Sequence, residues 1–260
     1  MIDIYESKFI LIYCVVLFFL LGTIFGSFLN CMADRICLGI PWWKGRSKCD
    51  HCGHELGILD LFPIFSYLFL GGKCRYCGNK LSIKYLLSEL LLGILFVFYL
   101  LTHSYIDLDL LNNLGIICVL FGLSICDIKS YEIPDGYIIF GCIWWLIFNL
   151  IKNGAVSCIT SILWALVVAG LILLLSVILD KILNKETLGG GDIKLFFMVG
   201  LYLGPMQSVF NIFFACVIGL IFILFFKKDK IPFGPAISFS TYFSLIYGVS
   251  LLNWYFGLFI

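Results

Sequence analysis

The chain has 260 residues, of which 62% are hydrophobic and 13% charged, with a net charge of +1 and a mean hydropathy of +1.08. A typical soluble domain is about half apolar and roughly a quarter charged, so this composition excludes an ordinary water-soluble globule. It also excludes a disordered chain, which needs low hydrophobicity and high charge, and the near-zero net charge gives no sign of a nucleic-acid partner.

A membrane-spanning helix needs about 20 apolar residues, and apolar runs cover 9–29, 85–101, 111–126, 137–151, 156–179, 193–226 and 236–260. The first reads as a span rather than a cleavable leader: Asp3 and Glu6 precede Lys8, and the run is too long for a leader's apolar region. The run 193–226 is too long for one helix of ordinary length. Gly204-Pro205 interrupts it, and proline breaks a helix by removing a donor and clashing with the previous turn. Splitting it makes eight spans. With the N-terminus outside, the stretches 31–84, 128–135, 181–194 and 227–230 fall inside and hold 15 of the 17 Lys and Arg, leaving Lys8 and Lys152 outside, as the positive-inside rule requires. One unbroken span would strand Lys227, Lys228 and Lys230 outside. The piece 193–203 would be about 16 Å long as a helix, short of the ~30 Å hydrocarbon core. It is expected as a half-depth helix, buried in protein and preceded by irregular backbone. The predicted fold is therefore an all-α polytopic membrane protein of about eight transmembrane segments, with a small cytoplasmic insert over 31–84.

That insert carries eight of the basic residues, whose plain role is topology and solvation, with attraction to anionic head groups as an addition. It also carries four of the 12 cysteines, as Cys49-Asp-His-Cys52 and Cys74-Arg-Tyr-Cys77, each pair followed by a glycine. Two C-x2-C knuckles at this separation suit one tetrahedral Zn²⁺ held by four thiolates. Disulfides are disfavoured in the cytoplasm, and a metal would supply folding energy to an insert with little core of its own. The other eight cysteines lie in or beside apolar runs and behave as small hydrophobes.

Three carboxylates stand at membrane depth. Asp127 ends the third run, Asp192 follows Gly189-Gly190-Gly191, and Glu89 lies about one turn into the second run. A carboxylate inside a span costs several kcal/mol, roughly +2.5–3.5 on insertion scales, so it faces protein or a water cavity. Asp127 and Asp192 could each simply begin or end a helix at the interface. As a pair, both at cytoplasmic ends of spans and both followed by Ile-Lys, they suit aspartic-protease chemistry, in which two close carboxyls share one proton. The triple glycine would permit backbone that other residues forbid. Glu132 and Asp135 are alternatives for the first member, although a loop or cap suits each better, and Lys129 and Lys194 read as helix-end anchors.

In order along the chain, Gly26-Ser-Phe-Leu-Asn30 with Arg35, Arg46-Ser-Lys-Cys49-Asp-His-Cys52, Asp60-Leu-Phe-Pro63, and Ser66-Tyr-Leu-Phe-Leu-Gly-Gly-Lys-Cys74-Arg-Tyr-Cys77 are followed by Asp127 with Ile133-Pro-Asp135, Glu186 with Gly189-Gly-Gly-Asp192-Ile-Lys194, and Ile231-Pro-Phe-Gly-Pro235. This ordered set resembles the type IV prepilin peptidases, bifunctional leader peptidases and N-methyltransferases of pilus, secretion and competence systems. The resemblance covers nearly the whole chain. Asp50 and Gly72 in the insert, and Tyr85-Leu86 directly after it, depart from the family's habits. The resemblance implies cleavage of a prepilin or pseudopilin leader at the cytoplasmic membrane face, after a glycine. It also implies methylation of the new N-terminus with S-adenosylmethionine. It assigns catalysis to Asp127 and Asp192, and makes Gly26, Asn30, Arg35 and Glu89 candidates for the cofactor site. On this reading residues 1–30 form the first transmembrane helix and 31–84 the zinc-binding, methyltransferase part. Residues 85–109 form the second helix and an outer loop, and 110–260 the peptidase core. A transporter also uses intramembrane acids and broken helices, but acids clustered at one face make a poor path across the bilayer. A zinc-bearing scaffold without chemistry is the remaining alternative.

Overall fold

The computed structural model describes residues 2–185, 187–226 and 231–258. Glu186, Lys227, Lys228 and Lys230, invoked above, lie outside the described residues. Among the described residues six helices are long and apolar enough to cross a membrane: α1 (Lys8–Cys37), α3 (Ile83–Leu101), α4 (Leu108–Ser130), α5 (Asp135–Leu183), α6 (Gly190–Phe226) and α7 (Gly234–Gly257). A five-residue helix α2 (Phe65–Phe69) lies in the insert, and β1 (Ile2–Asp3) pairs antiparallel with β2 (Tyr105–Ile106).

Two of the six long helices are broken. Gly154 in α5 has φ +78° and Gly204 in α6 has φ +70°, both in the left-handed region that favours glycine. The breaks divide the six helices into eight helical segments. The runs 137–151 and 156–179 are thus joined through one glycine rather than a loop. The piece of α6 before its break, residues 190–203, is about 21 Å long. It follows three non-helical described residues, 187–189.

The chain divides into two compact units, Met1–Leu110 and Leu111–Ile260. In the first, α1 packs on α3 through a Gly22-Thr-Ile-Phe-Gly26 face. A methyl group at Gly22 would stand 2.7 Å from the Gly93 Cα, and one at Gly26 3.0 Å from the Glu89 Cα. Small residues four apart let two backbones approach closely in a bilayer, where packing rather than the hydrophobic effect drives association. Next to this contact, Asn30 donates to the Ser88 hydroxyl and to the Gly26 carbonyl, and the Tyr85 hydroxyl donates to Asp34 Oδ2 at 3.2 Å.

In the second unit α5 packs on α6, and α6 on α7. Helix α4 offers Gly115 and Gly122, seven residues apart, to the rings of Trp144 and Tyr137 on α5, also seven apart. This is a knob-in-notch match along one helix face. The Trp144 indole donates to the Asn112 carbonyl at 3.2 Å. Helix α7 meets α4 through hydroxyls: Ser124 donates to Ser238 at 2.8 Å, and Ser238 to the Leu120 carbonyl at 3.3 Å.

Candidate active site and metal cluster

Helices α4, α5 and α6 end or begin around one open cleft of about 420 Å³, lined by Asp127, Tyr131, Glu132, Ile133, Asp135, Gly189, Gly190, Gly191, Asp192 and Lys194. Asp127 lies near the C-terminal end of α4 and is buried, 5% exposed. Asp192 lies in the first turn of α6, and its amide donates to the Gly189 carbonyl at 3.0 Å. Sequence reasoning paired these two from residues 65 positions apart, and the fold brings them to one cleft.

Glu132 and Asp135, the alternatives for the first member, also line the cleft. Asp135, however, accepts from Lys194 Nζ at 2.7 Å, and both side chains are more than half exposed. Lys194 is thus the partner of Asp135 as well as a residue near a helix end.

The glycine run works differently from expectation. None of Gly189, Gly190 and Gly191 has a positive φ, so all three adopt backbone open to other residues. What two of them provide is room. A methyl group at Gly189 would meet Asp192 Oδ2 at 3.2 Å, and one at Gly191 would meet the Ile133 Cβ at 3.1 Å, whereas Gly190 has nothing within 4 Å.

Two further contributors were missed in the sequence. Gly234, in the first turn of α7, donates its amide to Asp127 Oδ2 at 2.6 Å, and a methyl group there would stand 2.7 Å from that same oxygen. The signal was available in Pro232-Phe-Gly-Pro235, a sharp helix start with Pro235 in its first turn. Tyr131 lines the cleft with φ +57°, its amide donating to the Asp127 carbonyl at 2.9 Å. A non-glycine residue there is uncommon, and no sequence signal marks it.

In the insert, the Sγ atoms of Cys49, Cys52, Cys74 and Cys77 lie within 4.8 Å of one another. Four thiolates at about 2.3 Å from one Zn²⁺ would lie roughly 3.8 Å apart by tetrahedral geometry, and Cys49 and Cys77 are at 3.9 Å. The two knuckles repeat one backbone pattern. The Cys49 amide donates to the His54 carbonyl and the Gly53 amide to the Cys49 carbonyl, each at 2.9 Å. The Cys74 amide likewise donates to the Asn79 carbonyl, and the Gly78 amide to the Cys74 carbonyl. Gly53 and Gly78 make the turn with φ of +69° and +70°. Amides of Cys52 and His51 aimed at sulfur hold the Cys49 thiol down at about 6. Cys77 receives the Asn79 amide, but desolvation and the three neighbouring sulfurs push it up to about 11. The four-cysteine cluster can hold a metal ion.

The second knuckle is tied to the rest of the insert by Asp60. Its carboxylate accepts from Arg75 Nε at 2.7 Å, the Tyr76 hydroxyl at 3.3 Å and the Gly57 amide at 3.1 Å. Burial pushes the Asp60 carboxyl up, but the Gly57 amide and the Arg75 guanidinium outweigh it and hold it below its ordinary value.

The residues proposed for the cofactor fall in the first unit, and each is engaged with protein. Gly26 abuts the Glu89 backbone, and Asn30 bonds Gly26 and Ser88. Arg35 donates to the carbonyls of Trp42, Lys44 and Gly45. Buried Glu89 accepts the Ile64 amide at 2.8 Å. Ile64 is itself strained: with φ 63° and ψ −55°, and the Phe65 amide donating to the Pro63 carbonyl at 2.6 Å, it centres a positive-φ γ-turn. These four residues do not fit as ready ligands for S-adenosylmethionine, because their polar groups and close contacts already join α1, α3 and the insert.

A helical membrane protein with paired aspartates in one cleft and a four-thiol cluster in a separate insert defines a narrow class. Residues 20–103 match the bacterial peptidase A24 N-terminal domain and residues 114–224 the type IV leader peptidase family. The chain is 31% identical over 250 residues to a prepilin leader peptidase/N-methyltransferase of Bacillus subtilis (strain 168), covering 91% of this chain and 96% of that one. It is 29% identical over 241 residues to one from Vibrio cholerae (87% and 94%), and 30% identical over 248 residues to one from Neisseria gonorrhoeae (85% and 86%). The chain belongs to the type IV leader peptidase family. No solved structure matches it.

Proposed function

We propose that this chain cleaves the leader of type IV prepilins or pseudopilins with Asp127 and Asp192, and N-methylates the new terminus. The observation that carries the cleavage is the meeting of these two aspartates at one open cleft, on a chain similar over most of its length to prepilin leader peptidase/N-methyltransferases. The pair shares one proton. The carboxylate without it takes a proton from a water, whose oxygen attacks the scissile carbonyl. The protonated carboxyl donates to the carbonyl oxygen. Collapse of the tetrahedral species breaks the C–N bond, with the proton passing to the leaving amine. The Gly234 amide donates to Asp127 Oδ2 and so orients this carboxylate in the cleft.

The protein is a multi-pass membrane protein. On the charge bias of its loops, the N-terminus lies outside, with the insert and both aspartates on the cytoplasmic side of the cell's inner membrane, after eight crossings. One structural Zn²⁺ sits on Cys49, Cys52, Cys74 and Cys77. S-adenosylmethionine as methyl donor rests on family resemblance alone, and no methyl-transfer step follows from Gly26, Asn30, Arg35 and Glu89. Asp127→Asn and Asp192→Asn, assayed in nanodiscs on a leader-bearing peptide, should each abolish cleavage, and the double variant should be no worse than either, because the two act as one unit. Near-normal turnover in either single variant would remove that residue from the pair.

A further inference from the structure

Between residues 38 and 82 the only buried residues are Cys49, Gly72 and Cys74. The insert therefore has four sulfurs and a hydrogen-bond framework at its centre and almost no apolar core. Its large apolar side chains point outward instead: Trp42, Trp43, Ile58, Leu59, Leu68 and Phe69 are all exposed, Ile58 at 84% and Phe69 at 86%. Isolated exposed hydrophobes need no explanation, but this density in so short a segment marks an interaction surface.

We infer that the insert seats on the bilayer surface through these exposed apolar side chains, with an anionic lipid leaflet as its partner. Three observations choose lipid. The insert leaves α1 at Leu38 and enters α3 at Ile83, both exposed apolar residues continuous with the outward apolar faces of those helices. The surface thus begins where lipid contact already exists. Tryptophan and lysine at a helix end are the residues of the membrane–water interface. Here Pro41-Trp42-Trp43-Lys44 is a built element: Arg35, in the last turn of α1, donates to the carbonyls of Trp42, Lys44 and Gly45 and so holds this stretch of backbone beside the helix end. The charges fit as well. Of the three acids between 38 and 82, Glu55 and Asp60 are paired with Arg46, Lys48 and Arg75, and against the third, exposed Asp50, stand exposed Lys44, Lys73 and Lys80 for lipid phosphates. Apolar groups in the interface with cations above them is the arrangement of a surface-bound segment. The inference holds whichever catalytic reading stands.

The test places p-benzoylphenylalanine at Phe69, and separately at Ile58, in the full chain reconstituted in nanodiscs. Illumination followed by mass analysis identifies what each position touches, and zinc content checks that the insert is intact. Lipid adducts as the main product at both positions are expected. Their yield should rise when phosphatidylglycerol replaces part of the phosphatidylcholine, and fall again with added salt or with Lys73→Gln and Lys80→Gln together. Adducts to another part of the chain, to a second copy or to a bound peptide would overturn the inference, as would zinc-loaded protein giving no adduct. A lipid yield indifferent to phosphatidylglycerol would overturn the anionic partner.

Discussion

Gly234 offers the sharpest test of how the cleft is built. Replacing it by alanine introduces a methyl group 2.7 Å from Asp127 Oδ2 and 3.3 Å from the Asp127 Cβ and Cγ. The first contact is closer than real Cβ atoms come, so either α7 recedes or the Asp127 carboxylate turns away. Both movements break the 2.6 Å bond from the Gly234 amide. A hydrogen bond to a charged group contributes about 1.5–3 kcal/mol, so cleavage should fall by roughly 10–150-fold at 1.36 kcal/mol per tenfold. The fall should lie in kcat, because the amide orients a reacting group rather than the bound leader. Gly190→Ala is the internal control: it carries a methyl group into open space at the same cleft and should keep near-normal turnover. Gly191→Ala should fall between them, since its 3.1 Å approach to the Ile133 Cβ is less close than the 2.7 Å approach to Asp127 Oδ2. Near-normal cleavage by Gly234→Ala, or an equal loss in Gly190→Ala and Gly234→Ala, would refute the claim that the amide of α7 sets the position of Asp127.

Purified protein should bind one zinc per chain, and Cys52→Ser with Cys77→Ser should remove it and open residues 38–82 to protease; metal-free wild type with an intact insert would show that the cluster is not a metal site. Asp60 should stabilise the insert in a pH-dependent way. Its folded pKa is lowered, so its contribution is present above the ordinary carboxyl value of about 3.9 and is lost as pH falls through the lower folded value. The protease resistance of wild type over Asp60→Asn should therefore narrow in acid, and a gap that widens there would reverse the assignment.

Much of this molecule was legible because composition and spacing carry the physics directly. Apolar run lengths placed every long helix, the C-x2-C pairs placed the sulfur cluster, and Gly204-Pro205 marked the break in α6. The pairing of Asp127 with Asp192 was legible as two costly charges needing one shared reason. Three features were not. That the gap between the runs 137–151 and 156–179 is bridged by one positive-φ glycine depends on a single backbone angle. The function of Gly189 and Gly191 as clearance is a relation to Asp192 and Ile133 that glycine identity does not disclose. The bond from Gly234 to Asp127 joins residues 107 positions apart, and periodicity within a segment says nothing about such a contact.

Glu89 shows where resemblance and geometry suggest different experiments. A buried glutamate in a methyltransferase part invites the reading that it holds a cationic amine or sulfonium. In the structure it accepts the Ile64 amide instead, and so clamps a strained γ-turn against α3. The two roles respond differently to charge. Glutamine retains an oxygen for the Ile64 amide but loses the negative charge, whereas leucine loses both and leaves that amide unpaired, a cost of about 1–3 kcal/mol. If Glu89 positions the turn, Glu89→Gln should methylate a pre-cleaved peptide at close to the wild-type rate. Glu89→Leu should lose methylation by roughly 5–150-fold and expose 57–69 to proteolysis while cleavage persists. A tenfold or greater loss of methylation in Glu89→Gln with an unchanged proteolysis pattern would refute the clamp and assign the carboxylate to a cationic ligand. Cleavage lost in step with methylation in both variants would place Glu89 with the peptidase half instead.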